Sequence, residues 1–177
     1  MDLWNQPLTV DVEAKRLTDI MSDIMKTDLR QHEAPTKPGG HTLARHVNKT
    51  DTELNARFSQ PRAPSKNGGF YHDREFVETI IAKALLSNLE KVYDWYTTPK
   101  TAGAAAGSDE DEVRDLAVEY TNNYPIGRFF RRHPAGGAPI VSRTLIVILQ
   151  WAEEGLTIHD RDKFILTAYP KPETTYD

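Results

Sequence analysis

The chain has 177 residues, of which 38% are hydrophobic and 27% are charged, and these values are typical of one globular domain with a substantial core and a short appendage. Because the sequence contains no cysteine, a disulfide scaffold, a cysteine-ligated zinc site and thiol catalysis are excluded. No apolar run approaches the roughly 20 residues of a membrane-spanning helix, and the N-terminus lacks the apolar segment of a signal peptide.

The N-terminal region predicts an amphipathic helix followed by a linker. Apolar residues recur at helical spacing across residues 9–31, and residues 33–40 are rich in proline and glycine. We therefore expect residues 1–38 to form a helical arm and linker, and residues 39–177 to form the main domain. The pattern is equally compatible with a first helix that docks on that domain.

Two short helices are predicted next. Residues 41–47 favour a first helix, and Thr50 followed by Glu53 forms a capping box that begins a second one. His46 and Arg57 then lie near the ends of two adjacent helices joined by a tight turn. The sequence alone leaves open whether their side chains converge.

The middle of the chain predicts a loop, a long helix and an acidic segment. Residues 61–69 are typical of a loop, and Asp73 is placed to cap a core helix with a break near Ser87–Asn88. Residues 98–112 indicate an exposed or disordered loop. Much of the net charge of −4 comes from six acidic residues between positions 101 and 123, so the rest of the chain is close to neutral. Overall acidity weakens an interpretation as a nucleic-acid-binding protein without excluding it.

The last third of the chain predicts strands. Residues 127–132, 143–151 and 163–169 have strand composition and are separated by turns that contain glycine and proline. Leu145–Leu149 is apolar on both faces, which indicates a central strand. Helices first and strands last predict an α+β fold, with N-terminal helices followed by a C-terminal antiparallel sheet.

Two sequence motifs carry a family resemblance. The first runs from Gly39 through the His46-Val47-Asn48-Lys49-Thr50-Asp51 segment to Arg57, and the second is Phe164–Pro170. Together they resemble the bacterial RNase A-like toxin domains at the C-termini of CdiA-type contact-dependent inhibition proteins. The resemblance implies an RNase A-like fold without disulfides. It also implies a catalytic set that here comprises His46, Arg57, Thr167 and Tyr169.

These residue types suit RNA cleavage without a metal, which needs a base, an acid and a group that stabilises charge on the phosphate. Histidine transfers protons near neutral pH, and the arginine fork can bind two phosphate oxygens. Thr167 and Tyr169 lie two apart on a strand and therefore share a face. The second proton carrier stays open, because phenols with a pKa of about 10 are poor acid–base groups. His41 lies five residues before His46, so the two side chains are not expected to face the same way unless His41 lies outside the helix. Capping or buttressing of the helix start is its favoured role.

Substrate binding is predicted for a few basic residues. Arg128, Arg131, Arg132 and His133 form a compact cluster, although strand alternation separates Arg131 from Arg132. The alternative is a solvated strand end. Lys49 could reach a phosphate or interact with the C-terminus of the preceding short helix.

Other site chemistry is poorly supported by the sequence. The histidines are scattered, with no His-Glu-x-x-His motif and no pair four residues apart, so no metal site is expected. The paired glycines at 68–69 and 136–137 are interpreted as turns rather than nucleotide-binding loops, and no cofactor is expected.

The resemblance implies a metal-independent endoribonuclease toxin that acts in the cytoplasm of competitor bacteria. Its substrate would be RNA, with tRNA as one candidate, and its product a 2′,3′-cyclic phosphate. Its partners would be a cognate immunity protein, expected around Arg57 and Arg128–Arg132, and a larger exported polypeptide or secretion machinery. The alternatives are a non-catalytic protein-interaction module and a toxin domain with changed chemistry.

Overall fold

The structure is a computed structural model that describes residues 15, 18–20, 27–34, 39–61, 63–97, 115–132, 137–152, 155–159 and 161–172. Its α-helices beyond the N-terminal segment are α1 (Thr42–His46), α2 (Asp51–Ala56), α3 (Arg74–Ser87) and α4 (Leu89–Thr97). Its strands are β1 (Lys66–Phe70), β2 (Asp115–Thr121), β3 (Gly127–Arg131), β4 (Ile140–Ser142), β5 (Thr144–Trp151) and β6 (Lys163–Lys171). Within these ranges, no helix is long and apolar enough to span a bilayer.

The strands form two three-stranded antiparallel sheets, in the orders β1-β3-β4 and β2-β5-β6. The predicted α+β class and the central position of β5 are confirmed. The expected single sheet is instead divided in two, and β6 packs against both β1 and β3 across the seam between the sheets. That seam is where the candidate active site lies.

Helix α3 provides the main contact between the helical part and the second sheet. Asp73 caps it by accepting a hydrogen bond from the Phe76 amide at 3.1 Å, as predicted. Its buried face joins apolar residues of β2 and β5 in one core; the α3 members are Val77, Ile80, Ile81, Ala84 and Leu85. The predicted break is also confirmed. Asn88 ends α3, and its Nδ2 donates to the carbonyl oxygen of Glu119 in β2 at 3.0 Å.

Strand β1 corrects the prediction of a loop over residues 61–69. Gly68 and Gly69 lie inside this strand rather than in a turn, paired with Phe129 and Arg128 of β3. A Cβ at Gly68 would collide with the carbonyl oxygen of Pro170 in β6. Position 68 therefore requires glycine because two backbones approach each other closely there, although a pair of glycines is also typical of a turn.

The N-terminal segment ends differently from the predicted helix. Lys15 and residues 18–20 are helical, but Thr27 and Asp28 are not, and Leu29–Gln31 forms a 3-10 turn. Asp28 explains the change, because its carboxylate accepts from the Arg30 amide at 3.1 Å and caps this new turn. The rest of the predicted helix, and the predicted loop at 98–112, lie outside the described residues.

Residues 29–33 pack on the domain. Leu29 is fully buried, and the Nδ1 atom of buried His32 accepts a hydrogen bond from the Ile165 amide of β6 at 3.1 Å. Glu33 accepts hydrogen bonds from the Leu43 and Ala44 amides, the latter at 3.2 Å, and so satisfies the N-terminus of α1. This segment thus supports both α1 and β6.

Candidate active site

Helix α1 is held against β6 by hydrogen bonds on both sides of Thr167. The His41 amide donates to the Leu166 carbonyl at 2.9 Å, and Thr42 Oγ1 accepts from the Ala168 amide at 2.9 Å. This arrangement brings His41, which precedes α1, and His46, which ends it, to the face of β6 that carries Thr167.

His46 is the last residue of α1 and is only 5% exposed. Its Nδ1 lies 2.6 Å from the carbonyl oxygen of Gly68 in β1. Since a carbonyl oxygen can only accept, Nδ1 carries a proton, and the lone pair of the neutral ring is on Nε2. His46 is therefore held in the tautomer that can accept a proton through Nε2.

Arg57 follows α2, whose Thr50–Glu53 capping box is confirmed. Its Nη1 donates to Asn67 Oδ1 at 2.8 Å, and Asn67 Nδ2 in turn donates to the Leu54 carbonyl at 2.8 Å. Asn67 is 3% exposed and lies on β1. One buried amide therefore fixes the direction of the guanidinium group.

Strand β6 supplies the two hydroxyl groups. The Tyr169 ring centroid lies 5.3 Å from that of His46. Thr167 Oγ1 is buried and has no hydrogen-bond partner among the described residues. A buried hydroxyl without a partner costs free energy, which a ligand oxygen in the site would recover.

These four residues line one pocket of about 150 Å³. The structure therefore brings together His46, Arg57, Thr167 and Tyr169, the set that the family resemblance implied. His41, Lys66 and Asn67 line the same pocket. None of the described residues that line it carries a carboxylate.

His41 is a site residue that sequence reasoning placed elsewhere. It precedes α1 as the N-cap residue, but its side chain makes no capping hydrogen bond. Its ring centroid lies 6.4 Å from that of His46. Because α1 begins at Thr42, His41 lies outside the helix, which is the case in which the helical angle does not separate its side chain from that of His46.

Lys66 and Asn67 were missed because they lie in β1, the segment interpreted as a loop. No local pattern in Lys66-Asn67-Gly68-Gly69 indicates a strand. The only signal was the pair of glycines, which can mark close approach of another backbone as well as a turn.

Burial and positive charge govern the pKa values of the site. The pKa of His46 is lowered to about 3, chiefly by burial. The hydrogen bond to Gly68 raises this pKa, whereas nearby Arg57 contributes to lowering it. Burial, with Arg45 and Arg57 beside it, lowers the pKa of His41 to about 4. Burial also lowers the pKa of Arg57, which stays charged as arginine does in proteins. The pocket therefore holds two neutral imidazoles and one guanidinium at neutral pH.

The predicted substrate-binding residues take different positions. Arg131 lines a larger groove of about 650 Å³ that shares Lys66 and Tyr169 with the pocket. Arg128 pairs with the Asp51 carboxylate and donates to the Lys49 carbonyl at 2.9 Å. The Lys49 ammonium lies 3.9 Å from Glu53. Arg128 and Lys49 are therefore engaged outside the pocket, and His133 lies outside the described residues.

In the described parts of the chain, no group of three or more histidine, aspartate or glutamate side chains is arranged to hold a metal ion. The described side chains that line the pocket supply imidazole, guanidinium, ammonium, amide and hydroxyl groups.

Comparison with known proteins identifies the family. Residues 40–170, which include every residue of the pocket, match the family described as "Bacterial CdiA-CT RNAse A domain". The chain belongs to this family. The resemblance noted in the sequence is thereby confirmed, and the chain is a CdiA-CT domain of the RNase A type.

A solved structure agrees with this assignment. The CdiA-CT domain superposes on a chain from the "CdiA-CT/CdiI complex from Y. kristensenii" with a TM-score of 0.54 and 26% sequence identity. The match covers 75% of this chain and 100% of that one. No curated protein sequence matches the chain.

Proposed function

We propose that this CdiA-CT domain is a metal-independent endoribonuclease toxin. It cleaves RNA by attack of a ribose 2′-OH on the adjacent phosphate, leaving a 2′,3′-cyclic phosphate and a 5′-hydroxyl. The observation that carries the proposal is the convergence of His46, Arg57, Thr167 and Tyr169, with His41, in one pocket free of described carboxylates.

His46 is the general base. Its Nδ1–H is committed to the Gly68 carbonyl, which leaves Nε2 to take the 2′-OH proton as the oxygen attacks phosphorus. Burial keeps the ring neutral before the reaction, so the base is in its reactive form at neutral pH.

Arg57, Thr167 and Tyr169 bind the phosphate. The guanidinium, oriented by Asn67, offers two parallel donors to the non-bridging oxygens. The Thr167 hydroxyl, which lacks a protein partner among the described residues, donates to a phosphate oxygen. The negative charge that grows on phosphorus in the transition state is stabilised in a site that is already organised.

His41 is the general acid. When the P–O5′ bond breaks, the leaving oxygen needs a proton, and His41 is the second imidazole of the pocket. Burial, with Arg45 and Arg57 beside it, lowers the pKa of His41; the phosphate monoanion attracts the positive charge of the protonated imidazole and so raises that pKa. Water then returns the protons between turnovers.

The first experiment is RNA cleavage in EDTA by the wild type and by His46→Asn. The asparagine amide keeps a donor near the position of Nδ1, so the bond to Gly68 is retained while Nε2 is lost. We expect the wild type to produce fragments ending in cyclic phosphate, and the variant to lose activity by at least about a hundredfold. Equal cleavage by both proteins would refute the assigned base. An inactive wild type that binds RNA would favour an interaction module.

The second experiment separates acid from base. A uridine 3′-(4-nitrophenyl phosphate) has a leaving group that needs no proton, so His41→Ala should cleave it nearly as fast as the wild type while losing cleavage of RNA. His46→Asn should fail on both substrates. Equal loss of both activities in His41→Ala would show that His41 binds or positions substrate rather than donating a proton.

The biological setting follows from the same family. The similar structure is that of a CdiA-CT/CdiI complex, and we propose that a cognate immunity protein neutralises this domain. We also propose that a larger exported polypeptide carries the domain. Its site of action is then the target-cell cytoplasm, where its substrate is RNA, including tRNA. Expression of the chain in bacteria should arrest growth, whereas His46→Asn should not. Co-expression of the immunity protein should restore growth.

A further inference from the structure

The groove next to the catalytic pocket contains an unusual pair of charges. Lys66 on β1 and Arg131 on β3 are direct cross-strand partners, and both side chains are exposed. Like charges directly opposite each other in an antiparallel pair repel and destabilise the sheet. Neither forms an ion pair with a described carboxylate, whereas Lys171 of the same groove pairs with Glu119.

The pair lies in a groove that continues from the pocket. The groove runs between the face of β1 and β3 that carries these two cations and the face of β6 that carries Tyr169. Lys66 and Tyr169 line both spaces, so the groove and the pocket meet at these residues. A strand of RNA whose scissile phosphate sits beside Arg57 can therefore place a neighbouring nucleotide in the groove.

We infer that Lys66 and Arg131 form a second phosphate-binding subsite, which holds the RNA phosphate adjacent to the scissile one. An anion between the two cations removes their repulsion, and each cation gains a charge-assisted hydrogen bond. The subsite makes the enzyme favour substrates with at least two phosphates. This inference rests on the proposed ribonuclease function for the identity of the ligand.

The test compares binding of 2′-deoxy dinucleotides and tetranucleotides of randomised sequence without terminal phosphates, by isothermal titration calorimetry. These probes carry one and three phosphates and cannot undergo 2′-OH attack. We expect the wild type to bind the tetranucleotide more tightly, and Arg131→Gln to reduce that preference about tenfold. The slope of log affinity against log salt for the tetranucleotide should fall by about 0.7.

The control is Lys83→Gln, which removes one positive charge from the exposed face of α3, outside the groove and the pocket. It should keep the wild-type preference. An unchanged preference in Arg131→Gln, or an equal loss in Lys83→Gln, would overturn the subsite. Because the probes report binding alone, an enzyme that fails to cleave RNA but shows the Arg131-dependent preference would refute the ribonuclease and leave the phosphate subsite standing.

Discussion

His32, a buried histidine outside the candidate active-site pocket, makes the stability of the fold sensitive to acid. His32 is 7% exposed, and its Nδ1 accepts the hydrogen bond of the Ile165 amide in β6. Burial, reinforced by Arg161, lowers the pKa of His32 from 6.5 to about 4. Protonation of Nδ1 would remove the acceptor and place a charge in the core, so the folded state excludes the proton.

The sign of the effect follows from linkage. The unfolded chain binds a proton near the ordinary pKa, above the folded value, so the stabilisation is complete above about pH 6.5 and is lost as the pH falls toward 4. A shift from 6.5 to about 4 corresponds to roughly 3 kcal/mol in total, of which about 2 kcal/mol is lost between pH 7 and pH 5.

The perturbation that isolates this contribution is His32→Asn. The asparagine Oδ1 can accept the Ile165 amide from a position close to that of Nδ1, and it does not titrate. Between pH 7 and pH 5, the free energy of unfolding should fall by about 2 kcal/mol less in this variant than in the wild type. The other histidines contribute equally to both proteins and cancel in the difference.

Urea unfolding followed by tryptophan fluorescence at several pH values measures this difference. His72→Asn, at an exposed position, is the matched control and should follow the wild-type curve. The reasoning fails if His32→Asn loses as much stability as the wild type over the same pH interval while its denaturant dependence is unchanged.

Three further changes test the site and its support. Thr167→Val should stabilise the fold by about 1 kcal/mol in thermal unfolding, because it removes a buried hydroxyl without a described partner, and it should lower RNA cleavage. A loss of both stability and cleavage would argue against a ligand-binding hydroxyl. Asn67→Asp should place a carboxylate against Arg57 and raise KM for RNA at least about tenfold in steady-state kinetics, and an unchanged KM would separate Arg57 from the substrate. Gly40→Ala should lower Tm by several degrees in a calorimetric scan, since its Cβ would collide with the carbonyl oxygen of Ile165, and wild-type stability would contradict that close packing.

Local patterns predicted the elements that local physics determines. The capping residues Thr50 and Asp73 and the break at Asn88 lie where expected, because hydrogen bonds within a few residues decide them. The apolar run of β5 was sufficient to place it at the centre of its sheet, since only a strand covered on both sides is apolar on both faces.

The parts of the site that sequence reasoning missed depend on contacts between distant residues. Strand β1 is a strand because β3 pairs with it and β6 passes over Gly68, and neither contact leaves a local signal. That strand places Lys66 and Asn67 in the pocket and supplies the carbonyl that orients His46. The sequence left open whether His41 lies inside or outside the first helix, and the start of α1 at Thr42 places it outside.

The position of β6 at the end of the domain determines when the pocket is assembled. His41 lies near the start of the family domain, and Tyr169 lies near its end, so the two sides of the pocket are joined only when the last strand docks against α1. A chain that is synthesised from its N-terminus therefore carries every histidine and arginine of the pocket before the pocket is assembled. Completion of the last strand is therefore the step that assembles the proposed active site.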